Sequence, residues 1–198
     1  MSTGASAQGP VNADEAAYLR DVAPRIRLVI LDVDGVMTDG GIYVGVTAGG
    51  EPLEMKKFDI TDGLGVYLLR EAGIQVAIVS GRYSECVRVR AEELGIDECH
   101  MDPGAAKLPI VEKLLARLDI GWEETAFLGD DLPDLSLLRR VGLPGAVANA
   151  VPEVMALARW VGKREGGRGA VREFSHAILS TRGEWDRLVR EYEEERSK

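Results

Sequence analysis

The stretch Ile26-Arg27-Leu28-Val29-Ile30-Leu31-Asp32-Val33-Asp34-Gly35 decides how this chain folds. Its first part is an aliphatic run, which reads as a strand buried on both faces. Asp32 and Asp34, followed at once by Gly35, close that run. At the end of a hydrophobic strand two such carboxylates repel each other and lose hydration, so something must compensate. A divalent cation does so, and phosphate chemistry commonly needs one.

Downstream, the pattern alternates. Strand-like apolar runs lie at 28–33, 75–80, 98–101, 125–128 and 145–148, with helix-like amphipathic segments at 63–72, 83–94, 107–118, 133–140 and 152–158. That order predicts an α/β fold with a Rossmann-like parallel sheet and helices on both faces. Ligands of such sheets bind beyond the carboxyl ends of the strands, where the strand order reverses. Asp32, Ser80 and Asp130 all fall at predicted strand ends.

Around this core the chain divides into a leader over 1–24, a main domain over 25–182 and a charged C-terminal helix over 183–198. Residues 1–12 are small and polar, without the positive start and apolar centre of a targeting peptide, and are expected to be disordered. A short helix is predicted over 14–23. One segment breaks the alternation: residues 41–58 read as a protruding β-hairpin around a glycine turn. Its apolar side chains cannot all reach the main core, so they are expected to pack on another subunit.

Composition narrows the function. A formal charge of −9, from 24 Lys and Arg against 33 Asp and Glu, argues against a nucleic-acid partner. It leaves room for a small phosphorylated substrate held by a local cation cluster. Cys86 and Cys99 lack metal-ligand spacing and read as free thiols of a cytoplasmic protein. No apolar run approaches the roughly 20 residues of a membrane span. His100 and His176 fit no metal pattern, and Trp122, Trp160 and Trp185 read as core or interface anchors.

Four pieces carry chemistry in order: Asp32-Val33-Asp34-Gly35-Val36-Met37-Thr38, then Val79-Ser80-Gly81-Arg82, then Lys107, then Gly129-Asp130-Asp131-Leu132-Pro133-Asp134. Singly, each has an ordinary reading as a strand cap, a helix cap, a solvated lysine and a turn with Asp134 capping the next helix. As an ordered set at strand ends they resemble the phosphatases of the haloacid dehalogenase superfamily, from about Arg25 to Leu179. The resemblance implies that Asp32 attacks phosphorus and forms an aspartyl-phosphate. Asp34 then protonates the leaving oxygen and later activates water. Ser80 and Lys107 hold phosphate oxygens. Mg²⁺ is implied as the cofactor, held by Asp32 and Asp130 side chains and the Asp34 backbone carbonyl, with Asp131 supporting the shell.

The gaps between these motifs leave no room for a cap domain. Within the capless group, the hairpin, Phe58 before Asp62-Gly63, and Gly166-Gly167-Arg168-Gly169-Ala170-Val171-Arg172-Glu173 resemble the 3-deoxy-D-manno-octulosonate 8-phosphate phosphatases. That resemblance implies a homotetramer with shared active sites. It also implies a substrate loop of Asp59, Ile60, Thr61, Asp62 and Gly63, arginine contacts from Arg82, Arg90 and Arg168, and a lid made by the glycine-rich tail. Thr61 and Tyr67 stand where many of these enzymes carry arginine, and the related 2-keto-3-deoxynonulosonate (KDN) 9-phosphate phosphatases also lack those arginines. The expected function is therefore a magnesium-dependent phosphomonoesterase of a phosphorylated sugar acid, the octulosonate first and the nonulosonate second. A phosphosugar mutase would need a closed cap. A non-catalytic partner of a sugar-nucleotide enzyme would have no chemical need for the intact acidic set.

Overall fold

The computed structural model describes residues 13–197. The segment expected to be a disordered leader, 1–12, lies outside them. Strand β1 (Leu28–Leu31) sits near the middle of a six-stranded sheet. Hairpin strands β2 (Tyr43–Val46) and β3 (Pro52–Met55) form a separate antiparallel pair. The sheet continues with β4 (Gln75–Ser80), β5 (Glu98–Met101), β6 (Thr125–Gly129), β7 (Leu143–Ala146) and β8 (Trp160–Val161). Its order is β5-β4-β1-β6-β7-β8, with every neighbouring pair parallel.

After β5 the chain returns to the opposite side of β1 to lay down β6. This reversal puts the switch point between β1 and β6, where a crevice opens at the carboxyl ends. The helices are α1 (Ala13–Val22), α2 (Ile60–Glu71), α3 (Glu85–Glu93), α4 (Lys107–Leu118), α5 (Leu135–Leu138), α6 (Pro152–Leu157), α7 (Ala170–Thr181) and α8 (Trp185–Arg196).

Successive strand residues point to opposite faces, so each strand feeds two cores. Val29, Leu31, Val76, Ile78 and Leu128 pack with Leu69 of α2, Val87 of α3 and Phe174 and Ile178 of α7. Leu28, Ile30, Val79 and Phe127 pack with Leu114 of α4, Leu138 of α5 and Val154 of α6. Leu19 of α1 and Leu188 of α8 join the first core. No described segment is long enough for a cap: between β1 and β4 lie only the hairpin and α2. No helix among the described residues is long and apolar enough to cross a membrane.

Several boundaries differ from expectation. Strand β1 stops at Leu31 because the chain turns back beyond Asp32. Helix α2 begins three residues early, at Ile60, because the Asp59 carboxylate accepts the backbone N–H of Thr61 at 2.8 Å. Strand β7 ends at Ala146, not 148, since its partner β6 ends at Gly129. The helix expected over 133–140 is α5 alone, preceded by a 3₁₀ turn at Leu132–Asp134. Neither β8 nor α7 was anticipated as an element. Helix α7 follows a glycine cluster, and its apolar stripe was read only as part of a tail.

Candidate active site

Beyond β1 the backbone stays extended at Asp32, and its N–H donates to the Leu128 carbonyl at 3.1 Å. The chain then folds over on itself. Thr38 closes the loop by donating from its backbone N (3.0 Å) and its Oγ1 (3.2 Å) to the Val33 carbonyl. Gly35 sits in this loop at φ +90°, which L side chains rarely adopt. A Cβ there would also collide with the Asp130 carboxylate. Glycine is required on both counts.

The loop brings three carboxylates together. Oxygens of Asp32, Asp130 and Asp134 lie within 4.8 Å of one another. Lys107, at the start of α4 and only 3% exposed, donates to Asp32 Oδ1 and to Asp134 Oδ1, both at 2.6 Å. Asp134 uses its other oxygen to accept the backbone N–H of Asp130 at 2.9 Å. Both its oxygens are thus engaged. Asp130 Oδ1, by contrast, is buried with no hydrogen-bond partner.

One ammonium does not balance this charge. Burial, then the neighbouring Asp134, pushes the Asp32 carboxyl up to about 6, against the pull of Lys107. Burial, then the charges of Asp32 and Asp134, pushes Asp130 up to about 8. Burial disfavours the charge on Lys107, yet Asp32 and Asp134 hold its ammonium above its ordinary value. An orphaned buried oxygen beside two acidic groups, all oxygen donors, fits a hard divalent cation. Asp32 and Asp130 are the side chains that could hold it.

The Asp34 carboxylate lies outside this cluster. Its Oδ1 accepts a short hydrogen bond from Lys56 Nζ, and its Oδ2 faces Arg82 Nη1 at 3.8 Å. Asp34 still lines the same cavity, of about 260 Å³, together with Asp32, Ser80, Arg82, Lys107 and Asp134. Ser80 is buried, and its hydroxyl bridges the backbone N and O of Arg82, each at 3.2 Å.

A family profile described as haloacid dehalogenase-like hydrolase matches residues 100–173. The 3-deoxy-D-manno-octulosonate 8-phosphate phosphatase of Escherichia coli K12 is 43% identical over 183 residues, 92% of each chain. A crystal structure of the Moraxella catarrhalis enzyme of that name, in complex with magnesium ion, phosphate ion and KDO, is 35% identical. It covers 88% of this chain and 97% of that one, with a TM-score of 0.81. The cobalt-bound form of the Haemophilus influenzae enzyme is 39% identical with a TM-score of 0.74, covering 81% of this chain and 91% of that one. The chain belongs to the 3-deoxy-D-manno-octulosonate 8-phosphate phosphatase family, within the haloacid dehalogenase-like hydrolases.

As a member of that family the chain is a phosphatase, and its four motifs meet at one crevice. Other expected contacts stand apart from the cavity. Asp59 caps α2, Thr61 donates its hydroxyl to Asp59 at 2.6 Å, and Ile60 is exposed. Asp62 is buried and accepts the backbone N–H of Arg172 at 2.8 Å, tying α2 to the start of α7. Gly63 lies against Arg90, which is buried, pairs with Glu93 at 2.7 Å and stacks over Phe58. Arg168 is exposed and pairs with Glu165 at 3.3 Å.

Asp131 lines the same cavity, and its carboxylate accepts the next backbone N–H, that of Leu132, at 2.7 Å. Asp134 supports the acidic cluster. It was read as a helix cap because sequence spacing alone does not reveal that the 3₁₀ turn points it back at Lys107. The glycine-rich segment is no free tail. Gly166 donates to Asn149 Oδ1 and Gly167 to the Val36 carbonyl, both at 3.0 Å, so it straps the catalytic loop. A Cβ on Gly166 would strike the Gly35 carbonyl.

Three further residues escaped the sequence reading. Lys56, Glu54 and Ser84 reach the site through contacts between distant segments, and only the hairpin's nearness to the first motif hinted at them.

Proposed function

We propose that this phosphatase hydrolyses 3-deoxy-D-manno-octulosonate 8-phosphate with Mg²⁺ as cofactor. The observation that carries the reading is the buried Asp32–Asp130–Lys107 arrangement, in a chain 43% identical to an enzyme of that name. When bound by Asp32 and Asp130, the cation supplies charge neutralisation between a carboxylate nucleophile and a phosphate dianion. Asp32 attacks phosphorus, forms an aspartyl-phosphate and displaces the sugar oxygen. Lys107 holds Asp32 in line and offers its positive charge to the phosphate oxygens. Ser80 turns its hydroxyl to the same oxygens. Asp34 gives a proton to the departing sugar oxygen and then takes one from the water that opens the aspartyl-phosphate.

Arg82, half exposed on the cavity wall, contacts the acidic sugar. The face at Asp59–Gly63, with Arg90 and Arg168, frames the substrate farther out, completed by a neighbouring copy. The exposed apolar hairpin supports a homotetramer joined through it. A cytoplasmic location accords with the free Cys86 and Cys99. The nonulosonate reading rested on Thr61 and Tyr67. Tyr67 bonds Glu195 at 3.0 Å and packs edge-on to Tyr192.

The test is phosphate release across eight- and nine-carbon keto sugar acid phosphates and common hexose phosphates, with Mg²⁺ and with EDTA. The octulosonate ester is expected to turn over fastest, EDTA to stop release and Mg²⁺ to restore it. Asp32→Asn is expected to lose at least ~10³-fold in turnover. Faster release from the nine-carbon ester would overturn the substrate, and retained turnover in Asp32→Asn the nucleophile.

A further inference from the structure

Asp34 is gripped from a place the four motifs do not include. Lys56 directly follows the last residue of β3 in the hairpin, and its side chain is only 1% exposed. Its ammonium has two anionic partners among the described residues: Asp34 Oδ1, at short range, and Glu54 Oε1 at 3.7 Å. Glu54 is itself clamped. It accepts from Ser84 Oγ at 2.6 Å and from Arg82 Nη2 at 3.3 Å, and its backbone carbonyl accepts from Cys86 Sγ at 3.3 Å. A buried lysine loses hydration, so it occupies such a place only where its charge is matched.

The geometry sorts the two oxygens of Asp34. Oδ1 is taken by Lys56. Oδ2 has no hydrogen-bond donor within reach among the described residues and faces the cavity beside Arg82. Without Lys56 the carboxylate would keep only Arg82, at 3.8 Å, to orient it. It would then be free to swing toward Asp32 and Asp130.

We propose that Lys56 is a positioning residue. It fixes the Asp34 carboxylate with one oxygen turned to the leaving group, and Glu54 anchors it from behind. The hairpin thereby takes part in catalysis as well as forming an apolar surface. Placement of a reacting group within a fraction of an ångström is worth large factors in rate, so the loss of Lys56 falls on turnover.

This inference rests on the proton-transfer role assigned to Asp34, and a double-mutant cycle separates the two. The steady-state kcat and KM of the full chain are measured with saturating Mg²⁺, on the phosphomonoester that the wild type hydrolyses fastest. Lys56→Met is expected to lower kcat about tenfold or more while KM stays within about twofold. Lys56→Arg is expected to recover part of the loss. In an Asp34→Asn background, Lys56→Met is expected to cost nothing further, because the group it positions is gone.

Equal losses in both backgrounds, a loss confined to KM, or unchanged kinetics would overturn the proposal. Wild-type turnover in Asp34→Asn alone would remove the role of Asp34 instead. If Lys56→Met does not fold, Glu54→Gln replaces it in the cycle. That variant keeps the volume of the anchor and removes its charge. A smaller kcat loss that vanishes with Asp34→Asn supports the proposal, and full activity overturns it.

Discussion

Gly35 and the Asp130 carboxylate compete for the same space at the end of the sheet, and the outcome sets the charge cluster. The glycine's positive φ lets the first loop pass close enough for Asp32 and Asp130 to meet. Gly35→Ala combines a left-handed strain of about 1–2 kcal/mol with direct collision on Asp130. It is expected to lower the melting temperature by several degrees. It is also expected to raise the Mg²⁺ concentration for half-maximal activity about tenfold or more, since Asp130 must move. A thermal melt and a Mg²⁺ titration check both; unchanged metal dependence would show that Asp130 does not hold the cation. Asp134 teaches a related lesson. Its oxygens accept from Lys107 and from the Asp130 backbone, so it ties the cluster together.

Between elements, the contact of α2 with α7 does the most to hold the site's surroundings. Gly65 allows the two helices to approach until a Cβ would touch the Arg172 Cα at 2.9 Å. Asp62 of α2 reaches the open N-terminal turn of α7, where helix N–H groups lack partners. Its second oxygen is buried and unpartnered. Burial pushes this carboxyl up to about 7, although the Arg172 N–H favours its charged form.

Between its ordinary value of 3.8 and about 7, folded Asp62 keeps a proton that the unfolded chain has released. Stability therefore falls as pH rises across that window and levels off above it. Asp62→Asn can still accept from Arg172 and has no charge to bury. It is expected to gain on the wild type as pH rises from 5 to 8, by on the order of 1–4 kcal/mol in denaturant unfolding. A difference that stays constant with pH would mean that Asp62 is ionised throughout.

At the scale of the whole molecule, the hairpin is the feature a single chain cannot explain. Val44 and Val46 are each 74% exposed, and Ile42, Leu53 and Met55 are exposed beside them. Isolated surface apolar residues are ordinary, but this two-stranded ribbon carries them on both faces, Val44 and Val46 on one and Tyr43, Leu53 and Met55 on the other. Val44→Lys with Val46→Lys is expected to break the proposed tetramer into smaller species on sedimentation and to lower turnover, because each proposed shared site would lose its neighbour. A wild type that sediments as a monomer would remove this account of the hairpin.

Most of the frame could be read along the chain. The parallel α/β sheet follows from alternating strand and helix periods, because each local pattern agrees with the global one. Asp32, Ser80 and Asp130 could be singled out because strand ends of such a sheet converge on one crevice, and Asp34 and Lys107 because they complete the motif set that resembles the phosphatases. A divalent cation followed from acidic oxygens that need a counter-charge there, and Mg²⁺ from the family resemblance.

Contacts between distant segments left no such trace. A single 3₁₀ turn aims Asp134 inward at Lys107, while the Asp131 carboxylate before it accepts the Leu132 N–H. Lys56 meets Asp34 across 22 residues, and Gly166 and Gly167 are pinned against the first loop from the far end of the domain. Local propensity is set by near neighbours, whereas a side chain's aim depends on how whole elements pack. The residue types and their order identified the chemistry; the three-dimensional packing alone assigned which carboxylate oxygen is buried without a partner, which faces a lysine and which faces open space.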